Sequence, residues 1–154
     1  MSKPTLVLTW VLPARPQRVF DVFTQAEHLN AWFGQGVEID LQVGGRFASS
    51  DGEKAKFLKV AVPRQLVMAY THPRIGLETE VDITFAVTGP RNETQLRLVH
   101  KGLDPKQISR ENYTWLVDRW NWLADNLKHY LTKDRRLDFE TWRSRTRLVS
   151  GTRQ

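Results

Sequence analysis

The sequence predicts an α+β domain: an antiparallel sheet of about six to seven strands, two short helices after the first strand, and a long helix after the last. Three observations carry this. Apolar residues recur with period 2 through most of residues 37–101, the strands there are separated by hairpin-length turns, and the period changes to 3.6 after Pro105. Strands and a long helix segregated in this way point to a sheet with the helix packed on one face. The 154 residues, 40% hydrophobic and 26% charged, suit a single unit with a sizeable core.

The elements follow in order. Residues 5–12 are rich in β-branched and large apolar side chains and end at Pro13, which predicts a first strand. Pro16 suits the first position of a helix, where a missing N–H costs nothing, and Val19, Phe20, Val22 and Phe23 continue at helical spacing. Residues 26–33 predict a second short helix with Leu29, Trp32 and Phe33 on one face, stopped by Gly34 and Gly36. Val37, Ile39, Leu41 and Val43 alternate as a strand over 37–43, and Gly44-Gly45 permits a bend or bulge before residues 46–50 resume. Ser50-Asp51-Gly52-Glu53 has hairpin-turn composition. Strands are predicted over 55–62 and 65–71, and over 78–87 with Thr79, Val81, Ile83, Phe85 and Val87 on one side. Gly89 to Asn92 turns the chain into a strand over 94–101, where Leu96, Leu98 and His100 share a face. Asp104 and Pro105 suit the cap and first turn of a helix of about 25 residues, with Tyr113, Leu116, Trp120, Leu123, Leu127 and Leu131 in one stripe.

Several function classes are excluded or disfavoured. With no cysteine there is no disulfide, thiolate metal site or Cys nucleophile. No apolar run approaches a membrane span of roughly 18 residues, and no signal pattern opens the chain, so a cytoplasmic, bacterial-type domain is expected. The catalytic and nucleotide-binding signatures Gly-x-Ser-x-Gly, His-Glu-x-x-His, the phosphate loop and Gly-x-Gly-x-x-Gly are missing. His28, His72, His100 and His129 fall on separate elements, so neither a metal nor another cofactor is expected. The formal charge of +6 is uneven: residues 132–154 hold seven Lys/Arg against three Asp/Glu. A basic extension can approach nucleic acid, but no recognition motif accompanies it, and a solvated, partly helical tail is the plainer expectation. The predicted organisation is a domain over 1–131 and an extension over 132–154.

Five segments, in this order, resemble the helix-grip fold of the START/birch-pollen-allergen-like superfamily (SRPBCC). More narrowly, they resemble its single-domain bacterial members related to the activator of heat-shock protein 90 ATPase. The segments run over residues 16–34, 40–47 (with Val43-Gly-Gly-Arg-Phe47), 62–67, 96–103 and 120–131, and the resemblance spans roughly residues 5–131. It implies a curved sheet gripping the long helix around a cavity for an apolar or amphipathic small molecule. Strand and helix phase would then line that space with Val81, Ile83, Phe85, Leu96, Leu98 and His100 opposite Leu116, Trp120 and Leu123, with Trp32 and Phe33 closing one end. Val81, Ile83, Phe85, Leu98, His100, Leu116, Trp120, Leu123, Trp32 and Phe33 are therefore the candidate ligand-binding residues. The plain alternative for each is core packing at normal interior density.

His100 has two readings: an inward imidazole that orients or protonates a ligand, or a buried ring satisfied by hydrogen bonds. Arg46 either meets an anionic ligand or decorates a hairpin. Non-catalytic small-molecule binding is the leading function. A co-chaperone-like protein-interaction module, with a chaperone or other protein as partner, comes second. A polyketide cyclase/aromatase-type enzyme using His100 is third, and nucleic-acid binding is the most distant. The chain is expected as monomer or homodimer. Trp115 and Trp122, a heptad apart and opposite the apolar stripe, need a cover. Leu137, Phe139 and Trp142 of the tail, a second subunit, or deeper burial of the helix would each provide one.

Overall fold

The computed structural model describes residues 5–133 and 138–152. Its elements are β1 (Leu6–Leu12), α1 (Pro16–Thr24), α2 (Ala26–Trp32), β2 (Glu38–Ile39), β3 (Arg46–Ala48), β4 (Lys54–Ala61), β5 (Gln65–Thr71), β6 (Thr79–Thr88), β7 (Glu93–Lys101), α3 (Arg110–Lys133) and α4 (Phe139–Thr152). The seven strands form one curved antiparallel sheet in the order β1-β7-β6-β5-β4-β3-β2. Among the described residues only the β1–β7 pairing joins strands distant in sequence, with Leu8 opposite Leu98 and Trp10 opposite Leu96.

Period-2 patterning decides which face is covered. Thr79, Val81, Ile83 and Phe85 of β6 are buried, as are Leu96, Leu98 and His100 of β7. Val87 continues the same phase but is exposed beyond the covered part of β6. A register shift between Phe57 and Lys59 leaves Leu58 exposed on β4. The stripe Leu116, Trp120, Leu123 and Leu127 of α3 is buried. Side-chain bonds fix where that helix sits: Trp10 Nε1 donates to Asn121 Oδ1 at 3.0 Å, and Asn126 Nδ2 donates to the carbonyl of Trp32.

Two expected elements differ. The strand over 37–43 shrinks to Glu38–Ile39 because the chain reverses at once. The Gly45 amide bonds the Gln42 carbonyl at 2.8 Å, and the Asp40 amide already bonds the Arg46 carbonyl at 2.9 Å. A Cβ on Gly45 would lie 2.0 Å from the Asp40 carbonyl oxygen, so this turn demands glycine. The long helix begins at Arg110, five residues after Pro105. Asp104 closes a separate turn, accepting the Lys106 amide on Oδ1 at 2.9 Å. Buried Leu103 and Ile108 pin the connection, and Ser109 Oγ caps α3 by accepting the Asn112 amide at 3.1 Å.

Beyond α3, the first turns of α4 pack against the middle of that helix. Trp142 Nε1 donates to Asp125 Oδ2 at 2.8 Å, and Arg143 Nε donates to Asp118 Oδ2 at 3.1 Å.

Candidate functional site

A void of about 50 Å³ lies between the inner face of the sheet and α3. Phe57, Leu66, Met68, Tyr70 and Ile83 form its sheet side, and Trp120 and Leu123 its α3 side. Phe23, Leu29, Trp32 and Phe33 from the short helices and Ile39 and Phe47 from β2 and β3 close the end. The lining carries one acidic group, Glu53.

Glu53 is 2% exposed although it directly follows the hairpin turn. Its phase explains this: Glu53, Ala55 and Phe57 alternate inward while Lys54 and Lys56 face solvent. The Tyr70 hydroxyl donates to Glu53 Oε2. Glu53 Oε1 has no hydrogen-bond partner among the described residues, and its nearest cation is Arg119 Nη2 at 3.8 Å. Burial pushes the Glu53 carboxyl above its ordinary range, only partly offset by Arg119 and Tyr70. Burial likewise pushes the Tyr70 phenol well up, so it keeps its proton.

Arg119 is engaged elsewhere. Its Nη2 donates to Asp51 Oδ2 at 2.9 Å, and its guanidinium lies 4.4 Å from the Trp122 ring centroid and 5.1 Å from that of Phe33. Asp51 is held well below the ordinary carboxylate range, chiefly by His72, with the Ser49 hydroxyl and Arg119 adding to the effect. His72 Nδ1 accepts the Arg74 amide at 3.0 Å, which places the ring proton on Nε2, 3.8 Å from Asp51 Oδ2. Asp51, His72, Arg74 and Arg119 face an open cleft of about 530 Å³, walled by Trp115, Trp122 and Phe139. Phe33 lines both the cleft and the inner void, so these spaces share a wall.

Trp115 and Trp122 are buried, and Phe139 of α4 meets both edge-on at 5.9 Å and 5.5 Å while lying parallel to Trp142. Leu137 lies outside the described residues.

Of the ten residues expected to line a ligand space, Trp32, Phe33, Ile83, Trp120 and Leu123 border the void. Val81, Phe85, Leu98, Leu116 and His100 are buried in the core and do not. His100 is fully enclosed and doubly bonded, Nε2 to Thr79 Oγ1 at 2.7 Å and Nδ1 to Trp120 Nε1 at 3.1 Å. Arg46 is exposed. Glu53, Tyr70, Asp51, His72 and Arg119 are not among the site residues expected from the sequence. Alternation offered a signal for three of them, since Glu53 shares parity with Ala55 and Phe57, and Tyr70 and His72 with Leu66 and Met68. Turn composition masked the first. Among the described residues no group of three or more His, Cys, Asp or Glu is arranged to hold a metal ion, and no helix is long and apolar enough to cross a membrane.

A bent antiparallel sheet wrapped on a C-terminal helix, with two short helices after the first strand and an apolar space beneath, defines a helix-grip domain of the START-like superfamily. The family model described as "Activator of Hsp90 ATPase homolog 1-like protein" matches residues 13–132, and the chain belongs to that family. α4 lies beyond the matched residues. Among solved structures the chain is similar to CalU16 from Micromonospora echinospora, with 21% identity, a TM-score of 0.71, and coverage of 84% of this chain and 75% of that one. It is also similar to an HSP90 activator from Plasmodium falciparum (23%, 0.63, 82% and 92%). The third is the Aha1 dimer from Colwellia psychrerythraea (17%, 0.60, 81% and 96%). At these identities the likeness speaks for the fold. No curated protein sequence matches the chain.

Proposed function

We propose that this domain binds a small apolar or amphipathic molecule between the sheet and α3, without performing chemistry on it. The observation that carries the reading is the void itself: apolar side chains from sheet and helices surround a space that the core leaves unfilled, with one buried carboxyl at its edge. Pockets of mostly apolar lining with a few placed polar groups are what small-molecule sites look like.

The size restricts the ligand. A void of about 50 Å³ holds roughly three to five water-sized groups. A short aliphatic segment fits; a polyketide-sized molecule requires side chains to move, which disfavours the cyclase reading. His100, the residue such an enzyme would have used, has both ring nitrogens committed to the core. An amphipathic ligand would set its apolar end in the void and its polar remainder in the cleft beyond Phe33.

Titration of methyl-labelled protein with short alkanes, alkenes and ketones tests this. Binding should shift the methyl resonances of Ile83, Leu123 and Met68 and leave those of the exposed Val7 and Val11 in place. Leu123→Phe, which fills the void, should abolish the effect. Absence of any shift at those three methyls at millimolar ligand would overturn the reading.

A co-chaperone-like role is the second reading, supported by the family to which the chain belongs and by the Plasmodium neighbour's description as an HSP90 activator. Co-purification with a chaperone and stimulated ATP turnover would support it.

A further inference from the structure

We infer that the outer face of the sheet docks an acidic segment of another protein, held by Arg46, Lys54 and Lys56. These residues lie on the face opposite the inner void, so the inference goes beyond small-molecule binding and does not depend on it.

Strand pairing brings the charges together. One row across the sheet reads Arg46, Lys56, Ala69, Glu80 and Lys101 from β3 to β7, each residue directly opposite the next. At the β7 end Lys101 meets Glu80 at 3.7 Å. At the β3 end Arg46 stands opposite Lys56, a like-charge pair that works against the sheet. Lys54 adds a third cation on the same face, opposite the uncharged Ala48 and Thr71. All three are exposed, and their side chains make no hydrogen bond or ion pair among the described residues. Ala69, next to Lys56 in the row, offers no carboxylate to balance them.

The same positions shape a receptacle. β5 turns the small side chains of Ala69 and Thr71 outward between longer ones on β4 and β6, which leaves an open trough of about 590 Å³. Arg46, Lys54 and Lys56 line it. The register shift between Phe57 and Lys59 sets Leu58, 46% exposed, in its wall as an apolar contact beside the cations.

Charge complementarity selects the occupant. β4 and β6 stand two strand spacings apart, roughly 10 Å, which suits one polypeptide segment. Glu38, opposite Ala48, and Glu78, just before β6, flank the trough. A phosphate backbone or an anionic membrane is negative throughout and would meet these two carboxylates as well. A polypeptide can set Asp or Glu over the three cations alone and place an apolar side chain on Leu58, relieving the repulsion that the free protein bears.

The probe is a synthetic peptide, acetyl-Gly-Glu-Asp-Leu-Glu-Glu-Leu-Asp-Gly-amide, titrated into methyl-labelled full-length protein at low salt. It should shift the methyl resonances of Ala48, Leu58 and Ala69. Its counterpart with every acid replaced by the amide should bind about tenfold more weakly. Lys56→Glu should weaken the acidic peptide by about tenfold and also raise the urea midpoint, because it turns the like-charge pair with Arg46 into an opposite-charge pair. Arg97→Glu, an equal charge change on the exposed outer side of β7, should leave the affinity within about twofold. No methyl shift at about 1 mM peptide would overturn the inference, since binding that weak is worth only about 4 kcal/mol. Equal losses from Lys56→Glu and Arg97→Glu would overturn it by reducing the effect to net charge. A lower urea midpoint for Lys56→Glu would overturn it by making Lys56 a structural part of the sheet. Tighter binding of poly-uridine RNA or of phosphatidylserine vesicles, lost in Lys56→Glu, would overturn the choice of a protein partner.

Discussion

The indole Nε1 of Trp120 donates to His100 Nδ1 at 3.1 Å across the interface between α3 and β7. Indole N–H is a donor only, so His100 Nδ1 is an acceptor and the ring proton sits on Nε2, which donates to Thr79 Oγ1 at 2.7 Å. The threonine hydroxyl passes its own hydrogen to the Tyr70 carbonyl at 3.0 Å. A neutral imidazole is thus built into a chain that joins helix to sheet.

Burial pushes the His100 pKa down to about 3 from its ordinary 6.5. The unfolded chain therefore takes up a proton near pH 6.5 that the folded one refuses. The resulting stability is present above pH 6.5 and is lost as the pH falls toward 3, with a limit of about 5 kcal/mol. Trp120→Phe removes the donor, strands Nδ1 and should cost about 1–3 kcal/mol at pH 7 in urea unfolding. NMR titration of His100 in the native protein should show a neutral Nε2–H ring throughout the range above pH 4; a midpoint near 6 would contradict this.

The opposite sign holds at Glu53. Its folded pKa lies above the ordinary value of 4.5, so the folded state keeps a proton that the unfolded state has released. Stability from this group is complete below pH 4.5 and declines as pH rises through the folded value. Glu53→Gln should gain on the wild type steadily as pH is raised over that interval. A difference in unfolding free energy that stays flat with pH would mean that Glu53 is ionised in the fold.

Phe139 holds α4 against the aromatic face of α3. Its ring is flanked by Trp115, Trp122 and Trp142 and lies 5.4 Å from the Arg119 guanidinium. Being half-buried, it should cost about 1–2 kcal/mol when replaced by alanine. Tryptophan emission of Phe139→Ala should move to longer wavelength as Trp115 and Trp122 gain water. An unchanged spectrum would argue that other contacts cover them.

Leu123 lines the void from the α3 stripe, next to Trp120. Leu123→Ala should enlarge the void and lower stability by about 2–5 kcal/mol, as buried leucine truncations do. A small apolar ligand should then restore part of the loss, with the melting temperature rising with ligand concentration. No recovery with any ligand would indicate that the space collapses when emptied.

Much of this was legible in the amino-acid order. Strand alternation placed Val81, Ile83, Phe85, Leu96 and Leu98 inward, and helical spacing placed Leu116, Trp120 and Leu123 opposite them, because those signals depend on neighbours a few residues away. The START-like family was legible for the same reason, since its motifs are short segments in a set order. Turn and cap positions were less so: Gly44-Gly45 ended β2 far sooner than the alternation of Leu41 and Val43 implied, and Ser109 took the capping role expected of Asp104.

What the sequence determined by itself is the class of domain, through local periodicity and motif order. Only the tertiary structure decided which space stays open and which polar groups meet there. Arg119 bonds Asp51 across 68 positions of chain, and Tyr70 bonds Glu53 across 17. Burial of a carboxyl and the partners that tolerate it depend on long-range juxtaposition, and the void depends on how side chains from helices and sheet fill their shared volume. Neither quantity exists in any single segment.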